Sequence, residues 1–247
     1  MTASYDRIGT TYAATRRPDP RIRDAIWSPL GDAKTVVNVG AGTGSYEPPQ
    51  TVLAVEPAAV MIAQRPAGAA PVVQASAEAI PLADDAVDVP LAVLTNHHWG
   101  DQRRGFAEMR RVARRVVVFT WDPHFAEAFW LVRDYVQASA DYDRERFLPL
   151  ARVAEMAGAD ATVTAVPVPH DCQDGFFGAF WRHPAAYLDP RIRAGMSNLA
   201  HFGARYDSAF EQLAQDIQSG AWRARHAGLL ELWDLDLGYR LVVADRA

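Results

Sequence analysis

The sequence predicts an α/β protein built as a doubly wound, mostly parallel sheet with helices on both faces. Three observations carry that reading. Short β-branched runs alternate with segments of helical periodicity through the first half of the chain, the pattern of repeated strand–helix–strand units. The runs are apolar throughout rather than alternating, as expected of strands covered on both sides. The first run also ends in a glycine-rich turn, where such folds bring the backbone close to a ligand.

The elements follow in order. Asp19 to Trp27, after Pro18, reads as a lead-in helix. Thr35–Val39 (TVVNV), Thr51–Val55 (TVLAV), Pro71–Gln74 (PVVQ), Val87–Thr95 (VDVPLAVLT) and Arg115–Thr120 (RVVVFT) read as buried strands. Between them, Pro57–Arg65 opens with proline at the first helical position, and Asp101–Val112 carries the apolar stripe Phe106, Met109, Val112. Glu145–Ala157 reads as a helix and Ala161–Val168 as a strand, and Leu237–Ala244 (LGYRLVVA) closes the chain as a strand. Pro169 to Asp234 shows no strand signal and is too long for a structureless loop, so it is expected to be a helical insertion between the last two strands. Pro90 is an oddity inside a central strand, a position prolines avoid unless the strand is bulged.

One domain is expected over 1–247: an N-terminal lid segment at 1–30, a core at 31–168 and 235–247, and the insertion at 169–234. At 49% hydrophobic and 22% charged residues, the composition is that of a globular chain able to build its own core. A single cysteine, Cys172, excludes an intrachain disulfide and zinc sites built on cysteine pairs. Met1–Thr10 does not read as a secretory signal and no apolar run approaches the ~20 residues that span a bilayer, so a cytoplasmic, non-membrane protein is expected. A formal charge of −5 argues against nucleic acid as a partner. Arg103, Arg104, Arg110, Arg111, Arg114 and Arg115 fall at helical spacing and read as a solvated face.

Val36 to Gly44 (VVNVGAGTG) is a strand running into a G-x-G-x-G turn. Its glycines allow unusual backbone angles and close approach of a ligand. The dinucleotide version, G-x-G-x-x-G, would need glycine where this chain has Ser45, which disfavours a nicotinamide cofactor. The second strand ends in Glu56, whose carboxylate can accept hydrogen bonds from the two ribose hydroxyls of an adenosine.

The runs VVNVGAGTG, VLAVEPAAVMIAQ, VVQASAEAIPLADDAVDV and LAVLTNHHWGD together resemble the class I S-adenosylmethionine-dependent methyltransferases, in the branch similar to the ubiquinone and menaquinone methyltransferases. The resemblance covers about residues 30 to 122 and implies a Rossmann-like, seven-stranded sheet with the last strand antiparallel. It implies S-adenosylmethionine as cofactor, with Gly40, Gly42 and Gly44 at its methionine part and Glu56 at the ribose. Met61 would pack on the adenine and Pro57 contact the cofactor, with Ser76, Ala77 and Glu78 at the adenine's polar edge, Asn96 on the cofactor side of the rim, and Tyr12 and Arg16 on a lid near the cofactor carboxylate. The chain departs from the family pattern at Asn38 and Ser76, where relatives usually carry acids. Ser45 to Pro49 (SYEPP) cannot continue a helix after the glycine turn, and Glu56 follows Gly40 by only about 16 residues against roughly 20 expected.

Methyl transfer from a sulfonium is an in-line displacement, so alignment and exclusion of water supply most of the acceleration, with a general base where the acceptor loses a proton. Asn96-His97-His98-Trp99 follows the fourth strand at the rim where the acceptor enters, making His97 and His98 the candidate bases. Trp121 to His124, Phe125, Phe129, Trp130 and the aromatics of the insertion are candidates for an apolar pocket wall, and His170 and Asp171 for orienting groups. No metal site is expected, because His97-His98 is not a ligand spacing. The expectation is therefore transfer of a methyl group to O, N or C of a small aromatic or apolar metabolite. The alternatives are a nicotinamide-dependent oxidoreductase and a catalytically silent cofactor-binding partner protein.

Overall fold

The computed structural model describes residues 16–246. Its centre is a seven-stranded sheet in the order β3-β2-β1-β4-β5-β9-β6. The strands are β1 Val36–Val39, β2 Thr51–Val55, β3 Val72–Val73, β4 Val89–Val93, β5 Arg115–Trp121, β6 Thr162–Ala165 and β9 Tyr239–Asp245. β1 to β5 run parallel, and β9 inserts antiparallel between β5 and β6 with Trp121 opposite Tyr239. This is the Rossmann-like sheet expected, with its last strand antiparallel.

Two separate cores cover the two faces. On one, α1 (Pro20–Trp27) and the insertion pack Ile22, Ile26, Trp130 and Trp181 against Leu91, Val117 and Phe119. On the other, α3 (Gln102–Val112) and α6 (Leu150–Ala157) bury Phe106, Met109, Val112, Val153 and Ala157 against Val37, Val116, Val118 and Val242. Caps fix the helix starts: the Asp19 carboxylate accepts from Arg21 N–H and that of Asp101 from Arg104 N–H.

No helix forms between β1 and β2; residues 40–50 make turns only, as the tandem prolines Pro48-Pro49 require. Tyr46, at φ 61, turns its ring into the core beside α1 and fills part of that space. The helix expected over Pro57–Arg65 is a single turn, α2 (Ala59–Ile62). Pro90 keeps its place in β4 opposite Val37. Directly before it, Asp88 and Val89 N–H both reach the Thr35 carbonyl, an irregularity that accommodates the missing donor.

The second half corrects three expectations. Glu145–Ala157 is not one helix: α5 (Ala138–Arg146) ends and α6 begins at Leu150, because Pro149 forces the residue ahead of it out of the helical region. The strand expected over Ala161–Val168 breaks at Pro167. β6 pairs with β9, whereas Val168–Pro169 (β7) pairs with Asp234–Leu235 (β8) in a separate two-stranded ribbon. The insertion therefore has strand pairing at its two ends, which the sequence did not signal. Between them lie α7 (Pro190–Ala194), α8 (Ser197–Phe202), α9 (Asp207–Ser219) and α10 (Ala221–Arg225), with short 3-10 turns. α4 (Trp130–Asp134) follows β5 and is buried against the insertion through Trp130.

Candidate active site

The C-terminal ends of β1, β2 and β4 open onto a cleft of about 540 Å³. Its floor is the glycine turn. Gly40 takes φ 68 and a Cβ there would stand 2.0 Å from Thr95 Oγ1, so only glycine lets the turn meet the end of β4. Gly42, at φ 54, faces the Met61 side chain across the cleft. Glu56 is buried at the end of β2, and its carboxylate accepts from Gly42 N–H and Ala58 N–H, both at 2.8 Å. The acid is thus held at the lip of the turn, its carboxylate an acceptor group facing the cleft.

Asn38, Gly40, Gly42, Glu56, Pro57, Met61, Ser76, Ala77, Glu78 and Arg16 all line this cleft. Burial alone would raise the Glu78 carboxyl, but hydrogen bonds from the backbone of Asp101 and Gly100 and from Ser76 outweigh it and leave its pKa lowered. Two of the expected cofactor residues stand elsewhere. Gly44, at φ 94, faces the Arg65 guanidinium behind the turn. Asn96 is fully buried: its Oδ1 accepts from Thr120 Oγ1 and its Nδ2 donates to Gln102, which ties β4 to β5 and α3 and turns it away from the cleft. Tyr12 lies outside the described residues. Asn38 Nδ2 donates to Glu47, which is paired with Arg65 at 2.7 Å, so a carboxylate from the turn region stands beside Asn38.

A second, smaller cavity of about 70 Å³ adjoins the cleft and shares Arg16 and Leu94 with it. Leu94 sits in the left-handed region at φ 48, a strained geometry for a branched residue at the junction of the two spaces. Trp121, Phe147, Phe176, Phe177 and Tyr239 supply aromatic walls, and Asp143, His97 and Asn198 supply polar ones. The adjacent histidines divide: His98 faces the cleft and His97 the small cavity. His97 stacks on Phe147 with ring centroids 3.9 Å apart. Burial lowers both imidazoles, with the Arg146 charge adding to it; His98 falls to about 4, and both are neutral at pH 7.

Of the other aromatics expected at the pocket, Phe129 and Trp130 belong to the core, and Phe125 lies under the Arg240 guanidinium. His170 and Asp171 line neither space; the His170 carbonyl accepts from His183 and Asp171 pairs with Arg21. Asp143 and Asn198 were not legible as site residues, since each sits in a polar helical stretch that reads as solvated. Among the described residues no group of three or more His, Cys, Asp or Glu side chains could hold a metal ion, and no helix is long and apolar enough to cross a membrane.

Residues 37–119 match the family model for a methyltransferase domain. The chain is also similar to a methyltransferase assigned to an antibiotic biosynthesis pathway of Anabaena variabilis, at 30% identity and TM-score 0.85, over 95% of this chain and 99% of that one. The chain belongs to the class I S-adenosylmethionine-dependent methyltransferases. It shares its fold with a methyltransferase of Thermotoga maritima, at 14% identity and TM-score 0.55 over 98% of this chain and 92% of that one. The same holds for phosphoethanolamine N-methyltransferase 2 of Haemonchus contortus in complex with S-adenosylhomocysteine, at 11% identity and TM-score 0.56 over 98% and 58% of the two chains. No curated protein gives a significant match. The cofactor of this methyltransferase is S-adenosylmethionine, and the nicotinamide-dependent and catalytically silent readings fall away. The cleft fits that group: it has a glycine turn that a Cβ would block and a pre-oriented carboxylate at the end of β2.

Proposed function

We propose that this methyltransferase acts in the cytoplasm on a small aromatic or apolar metabolite, methylated at oxygen, nitrogen or carbon. One observation carries the reading: an aromatic-walled cavity meets the cofactor cleft at Leu94 and Arg16, so an acceptor held there stands beside the end of the cleft. S-adenosylmethionine, when bound, supplies an activated methyl group on a sulfonium.

The chain's residues position and shield. Gly40 and Gly42 admit the methionine part of the cofactor against the backbone, and Glu56 receives the ribose hydroxyls. Pro57 and Met61 flank the adenine, whose polar edge meets Ser76, Ala77 and Glu78. The aromatic walls orient the acceptor and keep water from the transferring methyl group. Arg16 closes the junction, its charge matched by Asp174 at 2.8 Å. His97 and His98, kept neutral by burial, serve as hydrogen-bond partners better than as proton acceptors, because burial holds both imidazoles below the range matched to neutral pH. The segment 1–30 and the insertion 169–234 are read as the substrate-side parts of a single domain.

Labelled methyl transfer tests the proposal. Protein incubated with methyl-labelled S-adenosylmethionine and a protein-free cell extract is expected to move label into an apolar, solvent-extractable product. Label confined to polar or macromolecular fractions would reject the acceptor class.

A further inference from the structure

Among the described residues Asp143 is the one carboxylate that lines the small cavity, and it is only 4% exposed. Its Oδ2 accepts from Asn198 Nδ2 at 3.0 Å, and Asn198 is fixed in that orientation because its own Oδ1 accepts Leu199 N–H at 2.8 Å. Among the described residues no cation stands within ion-pair distance of Asp143. The nearby Arg146 guanidinium lies over the Tyr142 ring at 3.6 Å and beside Glu145 at 3.9 Å. A buried carboxylate with one neutral donor is under-satisfied, and a structural role alone gives no reason to aim it into an aromatic cavity.

An ionised carboxylate only accepts hydrogen bonds, so an acceptor seated here has to bring an O–H or N–H donor. Charge separates the two. Arg146 lowers the pKa of His97, His98 and Asp143 alike, so its positive field reaches this cavity. That field offsets the pull of Asp143 on a cation and opposes the ammonium that an amine becomes as it attacks, whereas a phenol whose proton passes to Asp143 leaves a neutral ether. Five aromatic rings around the cavity suit a flat partner. On a scale where one water occupies about 10–15 Å³, 70 Å³ is room for a single ring seated between the aromatic walls.

We propose that Asp143 is a catalytic residue that takes the proton from a phenolic hydroxyl, so that the reaction is O-methylation of a single-ring phenol; this rests on the acceptor site assigned above. The oxygen–methyl bond forms as the methyl–sulfur bond of the donor breaks, and the hydroxyl proton passes to the Asp143 carboxylate. Burial raises that carboxyl to about 7, against the pull of Asn198 and Arg146, which makes it a far better proton acceptor at neutral pH than an ordinary carboxylate. Asn198 is a positioning residue: it holds one oxygen and leaves the other for the acceptor.

The test uses the full chain loaded with S-adenosylhomocysteine, titrated calorimetrically with phenol, catechol and, as the control without a hydroxyl proton, anisole. The expected result is a preference of at least about tenfold for the hydroxylated rings, the order of one charge-assisted hydrogen bond. In Asp143→Asn that preference is lost, while affinity for S-adenosylhomocysteine stays within about twofold. Methyl transfer to catechol falls by about a hundredfold or more in Asp143→Asn and returns in part in Asp143→Glu. Equal binding of phenols and anisole, no binding of either, transfer to aniline in place of catechol, or an undiminished rate in Asp143→Asn would each overturn the proposal. Failure to bind S-adenosylhomocysteine at all would instead remove the cofactor reading beneath it, so the two failures are distinguishable.

Discussion

Arg16 and Asp174 form an ion pair at 2.8 Å between side chains only 7% and 0% exposed, and it joins the segment ahead of the sheet to the helical insertion. Tyr46 OH donates to the same carboxylate at 2.8 Å, and Asp19 N–H donates to the Tyr46 oxygen at 3.2 Å. Three chain regions distant in sequence thus meet on one buried acid, and Arg16, which it holds, lines both the cofactor cleft and the small cavity. Removing Arg16 leaves the Asp174 carboxylate buried without its cation, the case in which a buried pair matters most. Arg16→Ala and Asp174→Asn are each expected to cost about 3 kcal/mol in chemical denaturation, with Tyr46→Phe nearer 1 kcal/mol. Losses below about 1 kcal/mol for both charged-residue variants would show that the pair is not holding these regions together.

Glu56 does two things, and its variants separate them. Its carboxylate orients the glycine turn through Gly42 and Ala58 N–H, and it is the proposed partner of the ribose. Glu56→Ala is expected to weaken S-adenosylhomocysteine binding by about 1–3 kcal/mol in calorimetry. Glu56→Gln keeps one acceptor oxygen for the turn and loses less. Unchanged affinity in Glu56→Ala would put the ribose elsewhere.

Gly40→Ala puts a Cβ 2.0 Å from Thr95 Oγ1 at a residue with φ 68. Both the contact and the backbone oppose it, so a loss of at least about 2 kcal/mol in folding stability is expected. Thr95→Gly in the same chain removes the atoms that clash and should return part of it. A Gly40→Ala protein as stable as wild type would contradict the turn geometry.

Asp143 also gives the fold a pH dependence of definite sign. In the unfolded chain its carboxyl ionises near 3.8, and in the fold burial holds it up to about 7. Between those values the folded state carries the extra proton, so this group's contribution to stability falls as pH rises, by about 4 kcal/mol once both states are ionised. His97 and His98 act the other way, because the unfolded chain protonates them first as pH falls below 6.5. Arg16, Arg146 and the phenols of Tyr142, Tyr206 and Tyr239 also face or act on Asp143. Asp143→Asn keeps all of these, so the stability difference between it and wild type isolates the carboxyl. That difference is expected to grow in favour of the variant from pH 5 to pH 8. A constant difference would show that Asp143 ionises normally.

What was legible in the sequence was local. The run from Val36 to Gly44 and the strand ending in Glu56 announce their own chemistry, because strand, turn and acid lie within about 20 residues, and β2 spans the five residues expected. The loss of the first helix was equally legible, since Pro48-Pro49 forbids it whatever surrounds it. What escaped depended on contacts far apart in the chain. Asp143 and Asn198 are 55 residues apart and meet only because the insertion folds back over β5. Asn96 reads as a rim residue, but the hydroxyl of Thr120 on the neighbouring strand draws it into the core. The ribbon of β7 and β8 is two residues deep on each side, too short for any periodicity to register.

S-adenosylmethionine is proposed to occupy the glycine-turn cleft with its reactive end at the Leu94–Arg16 junction. A crystal structure with S-adenosylhomocysteine tests it most directly. Both ribose hydroxyls are expected on the Glu56 carboxylate, the adenine against Met61, and the sulfur facing the cavity that holds Asp143. A cofactor bound with its ribose away from Glu56, or with its sulfur turned from that cavity, would contradict it.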